Sequence, residues 1–174
     1  MLRTMLYMMF LTLFFIGCST MRTAVDYDTQ YDMTKLHTYT ILHQYGDSLT
    51  DERIERAIAE TLDAKGYKNS NDIDKSDFVV MYWYGKKEKS EVRTTFIPMG
   101  RMGFYGYAGY YETDTYNYIE GNFEIRMMDP RTKKTIWVAY GKNELQAHDT
   151  PQEREAYVKE IVDTLLQEFP SKMR

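Results

Sequence analysis

Cys18 is the only cysteine in the 174-residue chain and closes the run Phe15-Ile16-Gly17-Cys18, which resembles a bacterial lipobox. In that chemistry the thiol is diacylated, a peptidase cuts after the small Gly17, and Cys18 becomes a lipid-bearing first residue. Each buried acyl CH₂ contributes about 0.8 kcal/mol, so several chains anchor firmly. Leu is commoner where Phe15 stands. Arg3 and the apolar stretch Met5 to Ile16 supply the charged and apolar parts of an export signal. That stretch falls short of the ~20 apolar residues a spanning helix needs. A lone cysteine allows no intramolecular disulfide. Ser19 stands where Asp would resemble an inner-membrane retention signal, which favours an outer-membrane lipid anchor. The expected layout is a signal peptide 1–17, a lipidated Cys18 with a tether to 24, one domain over 25–170, and a tail 171–174.

The remaining reactive side chains form no catalytic pattern. His37, His43 and His148 lack H-E-x-x-H spacing, and no serine lies in G-x-S-x-G. Asp26, Asp28 and Asp32 suggest a calcium loop, but Tyr31 then stands where the loop needs Gly, and His37 where it needs Glu. The reading is therefore a non-enzyme with no metal and no cofactor; a periplasmic hydrolase remains the alternative, through residues brought together only in space. The formal charge of −4, with both signs interspersed, argues against a nucleic-acid partner.

Tyrosine is the unusual residue: sixteen are present, six of them from Tyr105 to Tyr118. Phe104, Tyr105, Tyr107, Tyr110 and Tyr111 alternate with Gly100, Gly103, Gly106 and Gly109, so 99–117 reads as a Gly/Tyr-rich loop. Tyrosines on such a frame can stack on a sugar ring or grip another protein, an envelope protein or glycan in this setting. The plainer reading is a long hairpin connection.

The elements around these residues follow from periodicity. Leu36 to His43 alternates as a strand, with its two histidines ~20 Å apart and unable to share a metal. Ile54, Ala57, Ile58, Thr61 and Leu62 mark one face of a helix capped by Ser48 or Thr50 and stopped at Gly66. Asn69 to Lys75 reads as a loop and Phe78 to Tyr84 as a central strand. Gly85 to Ser90 reads as a charged hairpin turn into Val92 to Ile97. Tyr118 to Met127 alternates, Asp129-Pro130 turns the chain, and Thr135 to Tyr140 returns with Trp137 in the core. Thr150-Pro151-Gln152-Glu153 opens a last helix with a capping box, and Pro170 ends it. The order predicts an α+β two-layer sandwich: one mostly antiparallel sheet of about five strands with two helices on one face, mixed where the first helix joins a parallel pair.

The chain is similar to the DUF4136 lipoproteins of bacterial envelopes in Val25-Asp26-Tyr27-Asp28, His37-Thr38-Tyr39, Leu62 with Lys65-Gly66-Tyr67, Ser76-Asp77-Phe78-Val79-Val80, Glu120-Gly121, Asp129, Ile136-Trp137 and Phe169-Pro170. Met33, Leu36 and Arg126 depart from that pattern. The resemblance implies fold and location and carries no activity. A binding domain or an accessory subunit of an envelope complex is the resulting expectation.

Overall fold

The computed structural model describes residues 21–42, 48–70, 72–101, 107–146 and 148–172. The signal segment, Cys18, His43, Phe104 and Tyr105 lie outside them. Six strands, β1 (Arg22–Tyr27), β2 (Thr38–Ile41), β3 (Lys68–Asn69), β4 (Phe78–Arg101), β5 (Tyr107–Met128) and β6 (Thr135–Glu144), form one mixed sheet in the order β1-β6-β5-β4-β2-β3. Helices α1 (Leu49–Ala64) and α2 (Pro151–Leu165) cover one face. As expected, α1 joins a parallel pair, with Tyr39 to Ile41 alongside Phe78 to Val80.

The helix boundaries follow their caps. The Ser48 hydroxyl accepts from the Asp51 N–H at 3.1 Å, and Gly66 at φ +93° reverses the chain so that Tyr67 N–H reaches Leu62 O at 3.0 Å. At α2, Thr150 and Glu153 complete the capping box, at 3.2 Å and 3.1 Å, with Pro151 first in the helix. The helix stops at Leu165, yet Phe169 beyond it is 1% exposed. Its ring lies 5.1 Å from Trp137, 5.6 Å from Phe78 and 5.4 Å from Tyr67. The Tyr67 hydroxyl donates to Pro170 O at 2.9 Å, and burial pushes its pKa up to about 12.

Several strand boundaries differ from the sequence reading. Strand β1 begins inside the stretch read as tether; it is a polar edge strand on β6, without the apolar alternation that marks a half-buried strand. The first predicted strand is the second observed one and shortens to Thr38–Ile41, while Lys68–Asn69 adds a sixth strand parallel to it. The largest correction concerns 85–117. Gly85 to Ser90 is no turn, and the described residues of 99–117 are strand and not loop: β4 runs to Arg101 with one register shift between Pro98 and Gly100, and Tyr107 onward pairs with it in β5. Two predicted strands and the turn between them are one strand.

Asp77 holds the start of β2. Its Oδ2 accepts from the His37 and Thr38 N–H groups at 2.9 Å each and from the Thr38 hydroxyl at 3.0 Å. Burial raises the Asp77 pKa, but these hydrogen bonds outweigh it and the carboxyl titrates below its ordinary value. A depressed folded-state pKa stabilises above the unfolded value near 4 and loses that contribution as pH falls through the folded one. Asp77→Ala is expected to lower unfolding free energy by about 2–3 kcal/mol at neutral pH. Denaturant titrations at several pH values should show the gap to wild type closing below about pH 4. A pH-independent gap would contradict the assignment.

Candidate partner-binding surface

From Gly85 outward the β4–β5 hairpin leaves the sheet. β2 accompanies β4 only to Val80, and β6 accompanies β5 only from Glu120. The resulting arm runs from Gly85 to Arg101, roughly 50 Å at about 3.3 Å per residue. Neither helix covers it, and none of its described residues between Lys86 and Glu120 belongs to the buried core.

Strand register sorts its side chains onto two faces. On one, Ser90, Val92, Thr94 and Phe96 stand opposite Asn117, Thr115, Thr113 and Tyr111. This face carries no charge from Ser90 to Pro98. Phe96 and Tyr111 pack with ring centroids 5.2 Å apart, and Gly109 admits that pair, since a Cβ there would sit 2.4 Å from the Phe96 ring. Val92 is 70% and Tyr111 73% exposed.

On the other face, Lys87, Lys89, Glu91 and Arg93 stand opposite Glu120, Tyr118, Tyr116 and Asp114. The Arg93 guanidinium lies 4.0 Å from the Tyr116 ring centroid, and Tyr116 stacks on Tyr118 at 5.7 Å. Tyr118 donates to Glu91 Oε1 at 2.8 Å, and Tyr116 donates to Glu144. Those bonds raise both phenol pKa values, so the hydroxyls stay protonated and serve as donors, not bases. At the foot of the arm, Arg22, Arg93 and Lys142 face Glu91, Glu120 and Glu144 around an open recess.

The predicted aromatic set divides here. Tyr107 opens β5 opposite Arg101; Tyr110, opposite Ile97, and Tyr111, opposite Phe96, point to opposite faces and form no single stacking platform. The arm positions that sequence reasoning missed are Glu91, Val92, Arg93, Tyr116 and Tyr118. Their signal was the two-residue alternation of Glu112 and Asp114 with Thr113 and Thr115, which marks a strand even where no face is buried.

Further polar groups among the described residues tie elements of the fold together. The Tyr82 hydroxyl donates to Glu55 Oε1 at 2.8 Å and Asp51 Oδ1 at 3.3 Å, but burial raises its pKa, and Asp51 is already bonded to the Ser48 cap. This group ties α1 to β4. Asp129 accepts the Arg131 and Thr132 N–H groups of its own turn, at 2.7 Å and 3.1 Å. His37 is exposed, its Nδ1 2.6 Å from Lys35 O. Among the described residues no three His, Cys, Asp or Glu side chains are placed to hold a metal.

A family profile described as "Domain of unknown function (DUF4136)" matches residues 23–171. No curated protein matches the sequence. Solved structures share the fold at low identity. A DUF4136 family protein from Bacteroides thetaiotaomicron is 16% identical at TM-score 0.50, covering 84% of this chain and 94% of its own. The PelC dodecamer of Paraburkholderia phytofirmans is 9% identical at TM-score 0.50, covering 88% and 99%. A PDZ domain protein from Parabacteroides distasonis is 15% identical at TM-score 0.50; the match takes in 88% of this chain but only 36% of that one, so this chain spans about a third of its length. At such identities these likenesses speak for the fold alone.

Proposed function

This chain belongs to the DUF4136 family, and on that footing we propose that it is a lipid-anchored, non-catalytic domain of the bacterial cell envelope that binds another protein through its β-hairpin arm. One observation carries the reading: every arm residue with described burial, 86–100 and 109–120, lies outside the core, while Val92, Phe96, Tyr110, Tyr111 and Ile119 are exposed. Apolar side chains on a two-stranded ribbon contribute nothing to the fold that bears them and are available to a partner. A protein suits the arm better than a glycan, because its aromatic rings lie on both faces and one face is mixed in charge.

The anchor follows from Cys18 and its lipobox-like run, and β1 begins four residues later, holding the domain near the membrane. The outer membrane is the proposed location, from Ser19 after the cysteine. Intact mass and membrane fractionation of wild type beside Cys18→Ala test it. Wild type should lose residues 1–17, gain acyl mass at Cys18 and sediment with outer membrane, while the variant appears unacylated in the soluble fraction. A wild type that is itself released with a free thiol would overturn the anchor.

A further inference from the structure

We propose that the arm's protein partner includes a second copy of this chain, joined by antiparallel pairing of the two β4 edges about a two-fold axis at Val92. The inference rests on the arm being the binding surface and adds the identity of one occupant.

The arm has two outer edges, and among the described residues neither is paired: β2 leaves β4 at Val80, and β6 leaves β5 at Glu120, with one last bond from Leu145 N–H to Ile119 O at 2.8 Å. Open edges of this length are templates for another strand. Charge favours β4, because from Tyr107 to Glu120 the β5 strand carries only acidic side chains and no two-fold along it brings opposite charges together. A two-fold centred on Thr113 of β5 would set Glu112 against the partner's Asp114 twice. Like charges directly opposite are destabilising.

On β4 the register is selective. Backbone polar groups alternate sides along a strand, and Val80 turns its carbonyl outward to Leu42 N–H at 2.9 Å. Glu88, Ser90, Val92, Thr94 and Phe96 therefore present theirs to the free edge. Centring on Val92 pairs Ser90 with the partner's Thr94 and Glu88 with the partner's Phe96 through those groups. It also places Glu91 opposite the partner's Arg93, and Arg93 opposite the partner's Glu91, at the close non-hydrogen-bonded positions. Lys89 then meets the partner's Thr95, and Lys87 the partner's Ile97. Shifting the axis to Glu91 sets Glu91 on Glu91 and Lys89 on Arg93; shifting it to Ser90 sets Lys87 on Arg93; shifting it to Arg93 sets two arginines together. Of these centres only Val92 avoids every such clash.

The shape permits it. With the axis at Val92, the partner's Val80, where β2 begins, falls beyond Arg101, so β2 of neither copy lies along the paired stretch of described residues. Pro98 faces the free edge and costs only the bond opposite Lys86. The neutral faces of both arms join into one surface bearing Val92 and Phe96 from each copy.

The test uses full-length protein in detergent, followed by sedimentation velocity and light scattering. Glu91→Arg and Arg93→Glu should each weaken self-association at least about tenfold, because both symmetric pairs become repulsive. Mixing the two variants should restore a dimer, as should Glu91→Arg/Arg93→Glu on one chain. Rescue on mixing also shows that the variant arms are folded. Val92→Cys should cross-link to a species of twice the mass under mild oxidation, and Thr113→Cys should not. Unchanged dimers in the single variants, no rescue on mixing, or cross-linking at Thr113→Cys alone would overturn the β4 dimer. If the chain proves monomeric while arm excision still abolishes a larger membrane complex, this inference fails and the arm remains a binding surface for a different protein. If excision changes nothing, the reading beneath it fails as well.

Discussion

Phe169→Ala is expected to lower the unfolding free energy by about 3–5 kcal/mol, a large share of a domain's stability. The residue lies past the end of α2, although the sequence pattern carries the helix on to Pro170, and its ring meets Trp137 from β6, Phe78 from β4 and Tyr67 from the segment after α1. One side chain thus ties both ends of the domain to the sheet. Removing it leaves a cavity walled by three aromatic rings that cannot collapse without moving a strand. Urea denaturation followed by tryptophan fluorescence measures the loss. A change below about 1 kcal/mol would mean that the cluster repacks.

The opposite result is expected from a much larger deletion. Replacing Glu88–Ile119 by Asn-Gly joins Lys87 and Glu120, a cross-strand pair whose backbone groups face each other, through a two-residue turn of the type hairpins favour. None of the described residues deleted belongs to the buried core, so the unfolding midpoint should move by only a few degrees, equivalent to about 1 kcal/mol. Association through the arm should vanish. If the shortened protein unfolds or aggregates, the arm is part of the fold's support, and its claim to be a separate working surface fails.

These two predictions separate what was legible in the sequence from what was not. Both helices were readable because capping and periodicity coincide, at Ser48 with Asp51 and at Thr150 with Glu153. The return strand was readable from Ile136, Trp137 and Val138, and the parallel pair from a helix lying between two strands. The arm was not, for a physical reason. Strands announce themselves by one buried face, and beyond Gly85 neither face is buried, so charges at Lys86 to Lys89 and glycines at 100 to 109 resemble a turn and a loop. Burial along β5 shows where the ordinary signal ends: Met127 and Ile125 are fully covered, Phe123 is partly buried, and Ile119 is 45% exposed. Strand β1 escaped in the same way, having no apolar alternation of its own.

The resemblance residues also gain a physical meaning. His37, Thr38 and Asp77 lock β2; Tyr67, Phe78, Trp137, Phe169 and Pro170 build the aromatic cluster; Asp129 organises its turn. They specify the fold. Apart from Glu120 at its foot, the described part of the arm carries none of them, so its side chains can change without disturbing the body.

Site-specific photo-cross-linking in living cells tests the arm most directly. Probes replace Phe96 and Tyr111 on the arm, and Arg131 on the exposed turn at the other end of β5. Higher-mass products that sediment with the membrane are expected from Phe96 and Tyr111, and none from Arg131. Products from Arg131 with none from the arm would contradict this and move the working surface to the body of the domain.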